Sequence, residues 1–236
     1  MTSYKSMSDK PSVRSPWFWV PSLYFAQGIP YVAVMIVSVL MYKRLGVSNT
    51  DIALYTSWLN LPWVIKPFWS PFVDLLKTKR WWVVTMQLLI GAGLAGVAFT
   101  IPTTFFFQAS LAVFWLLAFS SATHDIAADG FYMLTLDSHE QAFFVGIRST
   151  FYRIAIIAGQ GVLVMFAGFL ENSTGNIPLA WSVTFFILGG LFLALFLYHR
   201  YILPLPKGDK PSATVTPSTI LKEFFATFAS FFKKKQ

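Results

Sequence analysis

The sequence predicts an all-α membrane protein with six transmembrane helices. Its composition supports this, because 56% of the 236 residues are hydrophobic and only 12% are charged. A soluble globular domain carries about 25% charged residues, so this chain lacks the supply needed for a water-facing surface. The hydrophobic residues also occur in long runs, separated by short polar connections. Lipid is therefore the expected solvent for most of the chain.

Six hydrophobic segments each supply the roughly 20 residues that a helix needs to cross about 30 Å of hydrocarbon. These segments are predicted at 17–42, 50–76, 81–101, 105–135, 142–169 and 178–201. The first segment is too long for a cleavable signal peptide and follows a polar leader. We therefore predict a cytoplasmic segment at 1–16, a transmembrane bundle at 17–201 and a cytoplasmic tail at 202–236.

Basic residues are concentrated at one end of the predicted bundle. The loops and termini at that end contain Lys5, Lys10, Arg14, Lys77, Lys79, Arg80, Arg200, Lys207 and Lys210. The opposite end has only Lys43 and Arg44. Because short loops rich in Lys and Arg stay in the cytoplasm, both termini are predicted to be cytoplasmic. The net charge of +8 thus suits anionic lipid headgroups, and no nucleic-acid partner is expected.

The tail has two parts of different composition. Residues 203–218 are rich in Pro, Ser and Thr, which is typical of a linker. Further on, apolar residues recur at intervals of three and four: Leu221, Phe224, Phe225, Phe228, Phe231 and Phe232. This spacing predicts an amphipathic helix that lies on the cytoplasmic membrane surface or leads into a further span.

Ionisable residues inside the predicted spans are the main functional signal. They are Lys66 in the second span, Asp125 and Asp129 in the fourth, and Arg148 and Arg153 in the fifth. Such residues are costly in a bilayer and usually face a cavity or a partner. Asp125 and Asp129 are four residues apart and therefore share one helix face.

Two interpretations of these charges stay open. They could form a structural ion-pair cluster that docks the second, fourth and fifth spans. Alternatively, Asp125 or Asp129 could be a proton-coupling site, because a neighbouring cation that moves away can make a buried carboxylate take up a proton. Lys66, Arg148 and Arg153 would then be charge partners or contacts for an anionic substrate.

Polar side chains in the spans are candidate substrate contacts. Tyr24, Gln27 and Tyr31 are three and four residues apart and form a stripe on the first span. Asn60 on the second span and Gln160 on the fifth have weaker claims of the same kind. Ordinary polar contacts between helices are the alternative explanation for all five.

The sequence gives little support for an enzyme or a cofactor. It contains no cysteine, and His124, His139 and His199 show no metal-ligand spacing. No nucleophile–base pair and no phosphate-binding loop is recognisable. We therefore expect no catalytic residues, no metal and no cofactor.

The segment SPFVDLLKTKR at 70–80 resembles a degenerate form of the loop motif of the major facilitator superfamily. That motif is Gly-x-x-x-Asp followed by basic residues. Asp74 takes the acidic position, and Lys77, Lys79 and Arg80 take the basic ones, whereas Ser70 replaces the glycine. The resemblance implies that these charged residues latch the cytoplasmic side between conformations.

Three further segments, in order, resemble the AmpG-type muropeptide permeases. They are YFAQGIP at 24–30, KPFWSPFVD at 66–74 and the stretch 121–155 that begins SATHDIAADG. The related acetyl-coenzyme A transporters share parts of the pattern. Gly146, Tyr152 and Arg153 also match it, whereas His124 stands where the family usually has Gln. The resemblance covers about residues 17–201.

This resemblance implies the N-terminal six-helix half of a larger permease in the inner (cytoplasmic) membrane. A C-terminal six-helix half would be its partner, and the whole would import cell-wall turnover products together with protons. Tyr152 would join the substrate contacts. Another glycoconjugate, a peptide or an acyl-coenzyme A stays open as substrate. Two other hypotheses also stay open: a half-size transporter that homodimerises, and a membrane scaffold or sensor that transports nothing.

Overall fold

The computed structural model describes residues 15–206 and 208–210. Regular secondary structure in these residues is entirely helical. The predicted leader, except for its last two residues, and the predicted amphipathic helix of the tail lie outside the described residues. The all-helical class is thus confirmed for the described part of the chain.

Among the described residues, five helical stretches are long and apolar enough to cross a membrane. They are Pro16–Arg44, Lys79–Thr100, Phe106–Thr135, Ser138–Thr174 and Ile177–Ile202. Each matches a predicted span, with its ends shifted by a few residues. We refer to three of them as α6 (Lys79–Thr100), α7 (Phe106–Thr135) and α10 (Ile177–Ile202).

The first and fourth stretches each contain a π-helical segment. The first comprises a 3₁₀ turn at Pro16–Phe18, α1 (Val20–Val32), a π segment at Ala33–Val37 and α2 (Ser38–Arg44). The fourth comprises α8 (Ser138–Ala158), a π segment at Gly159–Leu163 and α9 (Val164–Thr174). The two π segments contact each other. Such segments are rare and often occur at functional sites.

The predicted second span, 50–76, is not one helix. It consists of α3 (Asn49–Thr56), a 3₁₀ turn at Ser57–Asn60, α4 (Leu61–Val64), a 3₁₀ turn at Lys66–Phe68 and α5 (Ser70–Leu76). Pro62, Pro67 and Pro71 each lie at the start of one of the last three elements. Proline lacks an N–H and its ring clashes with the carbonyl four residues earlier, so it begins helices but interrupts them elsewhere. Six transmembrane helices therefore stay a prediction.

Glycines allow α1 and α8 to approach closely. A Cβ at Gly28 would lie 2.7 Å from Ala155 Cβ and 2.9 Å from Tyr152 O. A Cβ at Gly159, in the π segment that directly follows α8, would overlap with Val32 Cγ1 at the end of α1. Small residues are favoured where membrane helices pack backbone against backbone. This contact fixes the position of α8 relative to α1, and both helices carry predicted site residues.

At the end of the bundle opposite the termini, a buried carboxylate holds three helices together. Glu171 in α9 accepts a hydrogen bond from Trp181 Nε1 at 2.7 Å and one from Arg44 Nε at 2.9 Å. The Arg44 guanidinium also forms an ion pair with the same carboxylate. These contacts join α2, α9 and α10 at that end.

Candidate functional site

The most deeply buried charge in the candidate site is Asp125, on α7. Its Oδ2 atom lies 2.6 Å from Lys66 Nζ, which the 3₁₀ turn at Lys66–Phe68 supplies. The side chain of Asp125 is 9% exposed and that of Lys66 is 27% exposed. Gln27 of α1 interacts with the same carboxylate. The break in the second segment thus places a cation against an acid in the interior of the bundle.

Asp129 lies one helical turn further along α7 and has a different partner. Tyr24 donates its hydroxyl hydrogen to Asp129 Oδ1 at 2.9 Å. Arg148 Nη1 donates to Tyr24 Oη at 2.9 Å and approaches Asp129 Oδ1 at 3.3 Å. The Arg148 guanidinium also lies over the rings of Tyr24 and Tyr132, with distances of 5.1 and 4.9 Å to their centroids. Charge-assisted N–H···O bonds are usually about 2.7–2.9 Å, so the direct contact between Arg148 and Asp129 is loose.

A polar cavity of about 390 Å³ opens beside these groups. Its lining residues are Tyr24, Gln27, Asp129, Arg148, Ser149, Tyr152 and Arg153. Arg153 is exposed and, among the residues that the structure describes, forms no ion pair. The cavity therefore combines a half-exposed carboxylate with one loosely paired and one unpaired guanidinium. Such a surface can bind a polar solute that carries an anionic group.

Three of the predicted substrate contacts lie apart from this cavity. Tyr31 packs edge to face on Trp63, with a centroid distance of 5.2 Å. Asn60 lies in the 3₁₀ turn at Ser57–Asn60, and Gln160 is exposed in the second π segment. None of the three lines the cavity around Arg153. The stripe predicted on the first span thus divides, since Tyr24 and Gln27 reach the cavity and Tyr31 does not.

The predicted latch residues have separate partners. Asp74 and Lys79 form an ion pair. Lys77 lies over the ring of Trp81 at 5.9 Å. Arg80 instead donates to backbone carbonyl oxygens at the end of α10, those of Leu203 and Arg200.

Asp209, which was not among the predicted site residues, also belongs to this region. Its carboxylate accepts from the backbone N–H groups of Lys79 at 2.6 Å and Arg80 at 3.0 Å. Those groups belong to the first turn of α6, where a carboxylate complements the helix dipole. A single acid in a polar tail gives no sequence signal of this role.

A second polar network, also missed, lies next to Asp125. Ser22, His199, Gln87 and His124 form a continuous series of side-chain contacts between α1, α10, α6 and α7. The side chains of His199, Gln87 and His124 are fully buried. An isolated Gln within the apolar run of α6 was the available signal.

No group of three or more His, Cys, Asp or Glu residues that could hold a metal ion occurs in the described ranges, 15–206 and 208–210. The long apolar helices and the buried, partly paired charges define the class: a multi-pass membrane protein with a polar site between its helices. The BT1 family model matches residues 25–231. The chain therefore belongs to the BT1 family.

Curated relatives extend this assignment. The chain is 29% identical over 181 residues to a Rickettsia conorii protein named as transporter AmpG 4, covering 70% of this chain and 40% of the relative. The Rickettsia felis protein of the same name is 26% identical over 226 residues, 88% of this chain and 50% of the relative. The anhydromuropeptide permease of Escherichia coli K12 is 24% identical over 216 residues, again 88% of this chain and 40% of the relative.

These relatives confirm the resemblance to AmpG-type permeases. The names of these relatives describe them as transporters or as a permease. The chain spans half the length of these relatives or less.

Proposed function

We propose that this chain forms the N-terminal half of a proton-coupled permease that imports an anionic solute across the cytoplasmic membrane. The solute class is a cell-wall-derived glycopeptide of the muropeptide type, as the name of the Escherichia coli relative suggests. A C-terminal six-helix half would supply the opposite wall of the pathway. The observation that carries the proposal is the cavity at Arg153, where unpaired and loosely paired cations adjoin Asp129.

Asp129 and Asp125 have different roles in the proposed transport cycle. Asp129 faces the cavity with its side chain 46% exposed, and its partner Arg148 lies at 3.3 Å. An anionic group that binds Arg148 and Arg153 would draw Arg148 away from Asp129. Since the lost cation favours the neutral acid, Asp129 would then take up a proton. Substrate binding and proton binding would thus support each other, which is the requirement for symport.

Asp125 is the second proton-site candidate, with Lys66 as its partner. Its burial and its short contact with Lys66 support a role in which the pair separates as the transporter changes conformation. Asp74 and Lys79 form an ion pair at the end of the bundle that holds the termini. We propose that this pair stabilises one of the two conformations.

Uptake of a radiolabelled anhydromuropeptide into proteoliposomes tests the proposal. The native polypeptide that contains this chain is reconstituted, with and without an imposed pH gradient. We expect accumulation above the external concentration only with the outside acidic. Arg153→Gln should raise KM about tenfold, the loss of one charge-assisted contact. Lys43→Gln, which removes a basic residue at the other end of the bundle, is the matched control.

Three other results would each contradict one part of the proposed function. Equal uptake with and without the gradient would remove proton coupling. Binding of a neutral sugar as tight as that of the anhydromuropeptide would remove the anionic class. An intact mass near 26.6 kDa for the native polypeptide in its own membrane would favour the homodimer over the two-half permease.

A further inference from the structure

A chain of hydrogen bonds, buried except at Ser22, ends at the residue beside Asp125. Ser22 Oγ lies 2.9 Å from His199 Nε2, and His199 Nδ1 lies 3.0 Å from Gln87 Oε1. Gln87 Nε2 then lies 3.1 Å from His124 Nε2. Every ring nitrogen and both amide atoms in this series have a partner except one, His124 Nδ1.

The amide of Gln87 determines which nitrogen of each histidine carries hydrogen. Its nitrogen can only donate, so His124 Nε2 accepts and the hydrogen of His124 lies on Nδ1. Its oxygen can only accept, so His199 Nδ1 donates, and His199 Nε2 accepts from Ser22. If every donor and acceptor in this series were exchanged, His199 Nε2 would donate to Ser22 Oγ. The Ser22 hydroxyl would then donate to Trp19 O at 3.3 Å instead of to His199 Nε2 at 2.9 Å.

Other buried polar atoms without hydrogen-bond partners belong to residues near His124 on α7 and to a residue of α1 that interacts with Asp125. Ser121 Oγ and Gln27 Oε1 are buried and make no hydrogen bond, and Asp125 Oδ1 has no well-aligned one. Ser121 precedes His124 by three residues and Asp125 by four, so its side chain projects between theirs on α7. Gln27 reaches the same carboxylate from α1. Lys66 Nζ binds the other oxygen, Oδ2.

We propose that Ser22, His199 and Gln87 hold His124 as its Nδ1–H tautomer, and that His124 and Ser121 bind a buried water that hydrogen-bonds Asp125 Oδ1. Buried waters typically make about three hydrogen bonds to polar groups that otherwise lack partners, and these atoms provide that number. The site takes water rather than a metal cation, because Lys66 already neutralises Asp125 and would repel a second positive charge. His124, Gln87 and His199 are therefore positioning residues for Asp125.

The network extends from near one end of the bundle into its interior. By helix rise, His199 lies about 5 Å and Gln87 about 12 Å from the end of the bundle that holds the termini, and His124 lies about 16 Å from it. It therefore links the interior site to that end through fixed dipoles. A role in proton exchange at Asp125 rests on the proposed function, whereas the tautomer and the water do not.

Nitrogen-15 NMR of the reconstituted native polypeptide, labelled at histidine, tests the tautomer directly. The His124 signals are assigned as those that disappear in His124→Gln. We expect a neutral ring with hydrogen on Nδ1 in the unsubstituted protein, and a mixture of tautomers in Gln87→Leu. Thr184→Val is the matched control, because Thr184 is buried on α10 and donates only to Ala180 O of its own helix. It should leave the His124 signals unchanged.

Hydrogen on Nε2 of His124, or a tautomer unaffected by Gln87→Leu, would overturn the proposal. The water is tested by magnetisation transfer from bulk water to the Nδ1–H, which Ser121→Ala should weaken several-fold and Thr184→Val should not. Equal transfer in both variants would exclude the water site.

Transport measurements then separate positioning from mere packing. With a labelled anhydromuropeptide as probe, Gln87→Leu should slow gradient-driven uptake at least fivefold and leave exchange at equal pH within twofold. Equal losses in both assays would show that the network only supports the fold. If the NMR results hold while no variant or gradient affects uptake, the proposed function fails and the positioned water stands.

Discussion

At the scale of single residues, Asp129 is the charge with the greatest freedom to change partner. Tyr24 stands between it and Arg148, donating to one and accepting from the other. Asp129→Asn keeps the shape and removes the negative charge. Because its side chain is 46% exposed, we expect normal abundance in the membrane and loss of gradient-driven uptake by at least tenfold. Quantitative immunoblotting and uptake in the same vesicles measure the two effects.

Tyr24→Phe is the companion variant for that test. It removes the hydroxyl that connects Arg148 to Asp129 but keeps the ring under the guanidinium. We expect an intermediate loss of uptake. Undiminished uptake in Asp129→Asn would remove Asp129 from the mechanism.

Variants of Lys66 and Asp125 distinguish a structural role of this ion pair from a role in transport. Lys66→Met leaves a buried carboxylate without its cation, which costs about 3 kcal/mol, the lower end for buried pairs because Lys66 retains some exposure. Replacing both residues, Lys66→Met with Asp125→Leu, removes the unpaired charge. We therefore expect low abundance in Lys66→Met and recovered abundance in the double variant, measured by fluorescence-detected chromatography and thermal unfolding.

Transport distinguishes the two interpretations of this pair. If it is only structural, the double variant should regain uptake together with abundance. We expect abundance without gradient-driven uptake. Recovery of both would assign the pair to docking of the second segment on α7.

The charged residues of the site could be proposed from the sequence, but most of their partners could not. Asp125 and Asp129 stood out because acids are rare in apolar helices, and a short motif singled out Asp74 and Lys79 without indicating that they pair. Gln87, His199 and Asp209 each act across long sequence separations. Gln87 contacts residues 37 and 112 positions away, and no local spacing encodes such contacts.

At the scale of elements, hydropathy predicted where apolar segments lie but not how the backbone runs through them. The segment 50–76 has the composition of a span, yet three prolines divide it into short helices and turns. That division matters for the site, because the turn at Lys66–Phe68 supplies Lys66. The π segments likewise leave no pattern in composition.

The contact between α1 and α8 gives a prediction at this scale. In Gly28→Ala the new Cβ would meet Ala155 Cβ at 2.7 Å and the backbone oxygen of Tyr152 at 2.9 Å. Since backbone cannot yield cheaply, we expect destabilisation of about 1–3 kcal/mol. Gly146→Ala is the control, because a Cβ at this position of α8 meets nothing within 4 Å. Thermal unfolding in one detergent compares the two, and equal midpoints would contradict the close packing.

At the scale of the whole molecule, the two ends of the bundle differ in the contacts that hold them together. The end that holds the termini is fastened by Arg80 and Asp209, which join the start of α6 to the chain after α10. The opposite end is fastened by Glu171, which binds Arg44 and Trp181. The basic loops predict which end faces the cytoplasm. The contacts within the bundle do not determine this orientation, because it is defined relative to the membrane.

The absence of cysteine from this chain makes its orientation directly measurable. Ser138 and Ser173 are both exposed and lie near opposite ends of the stretch Ser138–Thr174. We introduce Ser138→Cys or Ser173→Cys into the native polypeptide, with any cysteine beyond this chain replaced. A membrane-impermeant maleimide should label the Ser173→Cys protein in intact cells, and the Ser138→Cys protein only after permeabilisation. The reverse pattern would place the basic loops outside, and labelling of both in intact cells would mean that the stretch does not span the membrane.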